Sequence, residues 1–286
     1  MDVVEDVSEL RRRVGAERCA GRTIGLVPTM GYLHAGHRSL LDAARRDNDM
    51  VVASIFVNPT QFGPGEDLAS YPRDLKRDHA VLDAAGTDLL FLPSAADMYP
   101  DGAGAQAIWV EPGALAGNLC GASRPGHFRG VATVVTKLLN MVQPDTLYLG
   151  QKDVQQAAIL RRMVRDLAFP VSVRVLPTVR EPDGLALSSR NAYLTPEERA
   201  EAPALKRALD CALAMIGTGE RDVARLVAGM EEVIRRDAPD GRIDYISVVD
   251  AATLQPVVSL QGDVLIALAV YLGKARLIDN AEITIG

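Results

Sequence analysis

Val27-Pro28-Thr29-Met30-Gly31-Tyr32-Leu33-His34-Ala35-Gly36-His37 decides how this chain is read. Thr23 to Val27 has the apolar pattern of a strand, and Ser39 to Arg46 has the spacing of a helix. The two glycines between them permit a tight backbone, and His34 and His37 share one face of the first helical turn. A strand-to-helix junction is an anion site, because unbonded N–H groups and the helix dipole both point at the ligand. The junction therefore predicts a bound nucleotide triphosphate.

Outward from it, strands and helices alternate. Val3 to Val14 reads as an amphipathic helix with Val3, Val7, Leu10 and Val14 on one stripe. Met50 to Val57 is a β-branched apolar run, as expected of a parallel strand buried on both faces, and it ends in the turn-rich Asn58-Pro59-Thr60-Gln61-Phe62-Gly63. Asp67 to Ala85 reads as helix with Gly86 as its cap, and Thr87 to Leu92 as strand. Asp97 to Gly126 is loose and rich in glycine and proline, with one strand expected at Ala107 to Val110; its length suggests a functional loop or lid. Val131 to Val142 (helix), Thr146 to Leu149 (strand), Val154 to Leu167 (helix) and Val171 to Val175 (strand) follow.

This order predicts an α/β fold: a Rossmann-like, mostly parallel sheet over residues 1–176 with ligands at the carboxyl ends of the strands. Past Pro177 the pattern changes. Thr195-Pro196-Glu197-Glu198 opens helices near 195–216 and 221–237, and the strands Asp244 to Val249 and Val264 to Tyr271 come after them. Residues 177–286 are thus expected to form a smaller α+β lid domain.

Bulk properties narrow the function. The 286 residues are 48% apolar and 24% charged, with a formal charge of −6, which argues against a nucleic-acid or membrane-surface role. Cys19, Cys120 and Cys211 are widely separated and form no C-x-x-C, so reduced thiols in a cytoplasmic protein are expected. The acidic start (Asp2, Glu5, Asp6, Glu9) does not resemble a secretion signal, and no apolar run reaches membrane-spanning length.

Gly31-x4-Gly36 has the glycine spacing of a P-loop, but His37 and Arg38 stand where that motif needs Lys and Ser/Thr, so that reading is rejected. A metal site at His34 and His37 would need further ligands; the other histidines are His79 and His127, and there is no H-E-x-x-H. Two further clusters suit phosphate. Leu187-Ser188-Ser189-Arg190-Asn191 combines hydroxyls with a guanidinium, and Gly150-Gln151-Lys152-Asp153 sets a lysine between a strand and a helix.

His34-Ala35-Gly36-His37 is similar to the H-x-G-H signature of the nucleotidylyltransferase superfamily. Six ordered motifs narrow this further: residues 28–37, Ser54-Ile55-Phe56-Val57-Asn58-Pro59-x-Gln61-Phe62, Tyr71-Pro72-Arg73, Arg124-Pro125-Gly126-His127-Phe128-Arg129-Gly130-Val131, residues 150–156 and Asp183-Gly184-Leu185-Ala186-x-Ser188-Ser189-Arg190-Asn191. Together they resemble the pantoate–β-alanine ligase family from about residue 22 to 194, and more weakly at Arg276-Leu277-Ile278-Asp279-Asn280.

The resemblance implies ATP- and Mg²⁺-dependent joining of (R)-pantoate to β-alanine through pantoyl adenylate, in a cytoplasmic homodimer. It implies that Met30, Gly31, Tyr32, Leu33, His34, Ala35, Gly36 and His37 line the ATP, with His37 the proton donor and His34 a phosphate donor. Gly150, Gln151, Lys152, Asp153 and Val179 would frame the adenosine, with Lys152 on phosphate, and Leu187, Ser188, Ser189 and Arg190 would close on the triphosphate. Gln61 (pantoate and β-alanine) and Gln156 (pantoate) would hold substrate, with Met30 and Phe62 as an apolar wall, Asn58 and Tyr71 nearby, and Asp78 a magnesium candidate. Cys120 and Gln151 stand where some relatives carry glutamate.

Overall fold

In the computed structural model, which describes residues 1–286, contacts group the chain into two units. One comprises residues 1–112, 124–151 and 156–177; the other comprises 113–123, 152–155 and 178–286. In chain order the elements are β1 (Asp2–Val4), α1 (Val7–Cys19), β2 (Ile24–Thr29), α2 (Ala35–Asp47), β3 (Met50–Ile55), α3 (Leu75–Ala84), β4 (Leu89–Phe91) and α4 (Ala95–Met98). Then come α5 (Cys120–Ser123), α6 (His127–Val142), β5 (Thr146–Gly150), α7 (Val154–Asp166) and β6 (Ser172–Leu176). The chain closes with α8 (Pro196–Glu201), α9 (Ala204–Gly217), α10 (Val223–Asp237), β7 (Arg242–Asp250), β8 (Gly262–Leu272) and β9 (Ala275–Ile285).

The first unit carries a six-stranded parallel sheet in the order β1-β4-β3-β2-β5-β6. Every residue of β3 is buried, which explains its unbroken apolar sequence: both faces of a central parallel strand are covered. Ile24 lies opposite Met50 and Thr29 opposite Ile55, so β2 and β3 end level. The Phe56 N–H donates to the Thr29 carbonyl at 3.0 Å. The 30–37 loop and the Asn58–Gln61 turn consequently leave the carboxyl ends of two adjacent central strands, where open α/β sheets bind ligands.

Several boundaries differ from the sequence reading. Val3 belongs to β1, and α1 starts at Val7 behind an Asp6 cap, because pairing with β4 claims the first residues and three of them are too few to show a period. α3 starts only at Leu75, capped by the Asp74 side chain on the Arg77 N–H. Ala107 to Val110 forms no strand; the Val110 N–H donates instead to the Thr133 hydroxyl of α6 at 3.0 Å.

The second unit carries an antiparallel sheet in the order β7-β8-β9, and α9 and α10 share its core through Leu205, Leu209, Leu226, Met230 and the inward face of β8. Pro203 separates α8 from α9, where the sequence read as one helix. β9 was not foreseen, because Asp279, Asn280 and Glu282 interrupt its apolar pattern. No helix of the protein is long and apolar enough to cross a membrane.

Candidate active site

The 30–37 loop is held from below by one carboxylate. Asp78, buried on α3, accepts from the Tyr32 N–H at 2.8 Å and the Leu33 N–H at 2.6 Å, and the Arg77 guanidinium lies over the Tyr32 ring at 5.0 Å. Both contacts are needed because the turn is unusual: Gly31 has φ +83° and Tyr32 φ +52°, the left-handed region where a side chain is strained. Burial pushes the Asp78 carboxyl above the usual range, while the two N–H donors pull it back. The two bonds give Asp78 a structural task that the sequence reading, which offered it to magnesium, did not foresee.

The loop delivers two imidazoles. α2 begins at Ala35, four residues before the sequence reading, because the histidines themselves cap it. His34 is the N-cap and its Nδ1 accepts from the Gly36 N–H at 3.2 Å; His37 Nδ1 accepts from the His34 N–H at 3.3 Å. A backbone N–H can only donate, so both Nδ1 atoms are acceptors, and each neutral ring carries its proton on Nε2. The rings sit 4.1 Å apart. A Cβ at Gly36 would fall 2.9 Å from His34 Cε1, so a side chain there would have to displace the His34 ring. The result is a pair of N–H donors at the positive end of a thirteen-residue helix.

Beside it, the Asn58–Gln61 turn is clamped against α6. The Arg124 guanidinium donates to the Gln61 carbonyl at 3.2 Å and to both Glu66 oxygens, and His127 Nδ1 lies 2.8 Å from the same carbonyl. The Gln61 Nε2 donates to the Met30 sulfur at 3.1 Å, which brings these two residues into contact. Phe62 and Tyr71 pack edge to face at 6.0 Å. A Cβ on Gly130 would lie 2.4 Å from the Thr60 oxygen and 2.6 Å from its carbon, both backbone atoms that must move together. We expect Gly130→Ala to destabilise the protein by about 1–3 kcal/mol, read by urea denaturation; a change near zero would mean the 60–61 peptide is not packed on α6.

Burial raises the Glu66 carboxyl, but the Arg124 hydrogen bonds and charge outweigh it and hold the group below the usual glutamate range. A folded pKa below the unfolded one means the pair stabilises fully above the unfolded value and is lost as pH falls through the folded one. The denaturation midpoint of the wild type should therefore fall more steeply in that acid window than that of Glu66→Gln. Parallel curves for the two proteins would remove Glu66 from the acid response.

In the second unit, Lys152, Ser188, Asn191 and Asp279 line one pocket. Lys152 sits in the one-turn 3-10 helix Gln151–Asp153 immediately after β5, its ammonium 3.5 Å from Asp153, and the Asn280 amide donates to its carbonyl at 3.0 Å. Asp279, almost fully buried, takes two hydrogen bonds from Arg180 at 2.6 and 2.8 Å. Arg180 bridges to Ala186, and the Leu187 N–H donates to the Val179 carbonyl at 3.0 Å, closing a hairpin that presents Ser188 to Arg190. Ser188 caps the next turn by accepting from the Arg190 N–H at 3.3 Å. Asp279 and Asn280 thus interrupt the apolar pattern of β9 because they hold the hairpin and the lysine.

The expected residues are divided between the units. Met30–His37, Asn58, Gln61, Tyr71, Gly150, Gln151 and Gln156 belong to the first; Lys152, Asp153, Val179 and Leu187–Arg190 belong to the second. Sequence reasoning missed Glu66, Tyr99 and Arg180, which act through residues far away in the chain. At Cys120 the thiol lies 3.3 Å from the Tyr245 hydroxyl and accepts from Arg276 at 3.4 Å, while Asp244 pairs with that arginine at 2.7 Å. The arginine charge is therefore met without a glutamate at position 120, and burial pushes the Tyr245 phenol up.

Comparison with known proteins decides the family. The model of the family described as Pantoate-beta-alanine ligase matches residues 2–282. The chain belongs to the pantoate–β-alanine ligase family. Pantothenate synthetase of Moorella thermoacetica is 54% identical, with 100% of this chain and 99% of the relative covered. The crystal structure of pantothenate synthetase from Thermus thermophilus superposes with a TM-score of 0.91 at 51% identity, covering 98% of this chain and 99% of that one. The ligase of Francisella tularensis, solved with β-γ ATP and β-alanine, gives a TM-score of 0.80 at 37% identity over 98% and 97% of the two chains. The parallel sheet and the small antiparallel sheet described above are the fold of these pantoate–β-alanine ligases.

Proposed function

We propose that this protein joins (R)-pantoate to β-alanine, using ATP, and releases pantothenate, AMP and pyrophosphate. A carboxylate is a poor electrophile. One pantoate oxygen attacks the α-phosphorus and pyrophosphate leaves; the β-alanine amine then attacks the acyl carbon of the pantoyl adenylate, AMP leaves and the amine loses a proton. Nothing in this sequence needs a covalent enzyme intermediate, so positioning and charge stabilisation supply the catalysis.

The observation that carries the reading is the pair of imidazoles at the N-terminus of α2, each with Nδ1 accepting a backbone N–H so that Nε2 is left to donate, on a loop whose Tyr32 and Leu33 N–H groups are held by Asp78. His34 and His37 meet the charge that builds on phosphate oxygens, with His37 the proton donor. Lys152, Ser188, Ser189 and Arg190 take further phosphate oxygens, and Gly150, Gln151, Asp153 and Val179 frame the adenosine. Gln61 and Gln156 hold pantoate, Gln61 also faces β-alanine, and Asn58 and Tyr71 line the same region. No group of three or more His, Cys, Asp or Glu gathers here, so Mg²⁺ would come with the nucleotide and would supply neutralisation of charge on its phosphates.

The Francisella complex with β-γ ATP and β-alanine supports the two co-substrates. The three unpaired cysteines support a cytoplasmic protein, and the family resemblance supports a homodimer. The test is mass spectrometry of products from ATP, pantoate and β-alanine, each omitted in turn. Pantothenate and AMP should require all three, and omission of β-alanine should leave pantoyl adenylate and pyrophosphate. An adenylylated product that never becomes an amide would overturn the proposal.

A further inference from the structure

The Gln61 amide has no choice about which end it shows. Its neighbour Asn58 is buried, and backbone groups fix both ends of the Asn58 amide. One end lies 3.4 Å from the Thr60 N–H, an obligate donor, so that end is the oxygen. The other lies 3.3 Å from the Gly130 carbonyl, an obligate acceptor, so that end is the nitrogen. The same nitrogen stands 3.1 Å from the Gln61 side chain, which must therefore offer its oxygen there. The end of Gln61 left for another partner is its Nε2, which rests at 3.1 Å on the Met30 sulfur, a weak acceptor.

One buried hydroxyl holds this arrangement from behind. Tyr99 is 2% exposed, and its hydroxyl donates to Asn58 Oδ1 at 2.8 Å while lying 3.1 Å from the Thr60 hydroxyl. Thr60 adds a second hydroxyl to the same Asn58 oxygen at 2.9 Å. The Tyr99 ring is fixed independently, by Phe56 at 6.3 Å and by the Lys137 ammonium at 4.6 Å. Burial raises the phenol above its ordinary range, which keeps it a donor.

We propose that Tyr99 is a positioning residue that, through Asn58, presents Gln61 to pantoate as a hydrogen-bond donor only. This rests on the reading of Gln61 as a pantoate residue. It specifies the complementary chemistry: the substrate atom facing Gln61 is a hydroxyl or carboxylate oxygen acting as acceptor. An analogue that carries only a donor at that atom is rejected. The amide is oriented before substrate arrives, so no rotamer has to be selected on binding.

A double-mutant cycle over Tyr99→Phe and Gln61→Ala tests it, reading kcat/KM for pantoate below saturation and KM for ATP. Tyr99→Phe keeps the ring and removes the donor; it should lower kcat/KM for pantoate about tenfold through KM, with KM for ATP unchanged. In the Gln61→Ala background the same substitution should change kcat/KM by less than about twofold, because its effect passes through Gln61. An equal loss in both backgrounds, or no loss in either, overturns the positioning role. If Gln61→Ala alone leaves pantoate saturation unchanged, Gln61 is not a pantoate residue, and the underlying reading fails with the inference. Should Tyr99→Phe not fold, Thr60→Val removes the other hydroxyl on Asn58 and must show the same dependence on Gln61.

Discussion

Lys152→Ala should reduce pyrophosphate formation from ATP and pantoate by roughly a hundredfold or more, as removal of one preorganised donor from a developing charge does elsewhere. The lysine is well suited to show this cleanly. Its side chain is about one-fifth exposed, its nearest carboxylate is Asp153 at 3.5 Å, and such a pair contributes little to folding. Its backbone, by contrast, is anchored by Asn280, and that bond survives the substitution. The melting temperature should therefore hold while the adenylation rate collapses. A rate within about threefold of wild type would remove Lys152 from the chemistry.

Asp78→Ala should act in the opposite order, on the fold first and on catalysis through it. It leaves the Tyr32 and Leu33 N–H groups without their acceptor and removes what holds Tyr32 at positive φ. An unmet buried donor costs about 1–3 kcal/mol, and relief from burying the carboxylate offsets part of two such losses, so about 2–4 kcal/mol is expected in urea denaturation. Adenylation should fall as well, because His34 and His37 follow the loop directly. If stability changes by less than about 0.5 kcal/mol, the loop is held by something else.

The parallel sheet was legible because β3 is an unbroken apolar run and the strands alternate with helices, a pattern local in sequence. The strand-to-helix junction was legible for the same reason, through Gly31, Gly36 and the two histidines. The start of α2 was not, because imidazoles do the capping where a hydroxyl or carboxylate is the usual signal. β9 was hidden by its own function, since a strand that holds Arg180 and Lys152 with Asp279 and Asn280 cannot keep an apolar pattern. Partners 99 residues apart, such as Arg180 and Asp279, or 41 apart, such as Tyr99 and Asn58, leave no mark in spacing. Such contacts belong to tertiary structure, and no local pattern in the sequence encodes them.

A pantoate carboxylate oxygen should attack the α-phosphorus of ATP, and one turnover with pantoate labelled with ¹⁸O in its carboxylate, every product analysed by mass spectrometry, shows whether it does. Attack at the α-phosphorus followed by aminolysis at the acyl carbon leaves one labelled oxygen on AMP and none on pyrophosphate. Unlabelled AMP, or label appearing in inorganic phosphate beside ADP, would contradict the account.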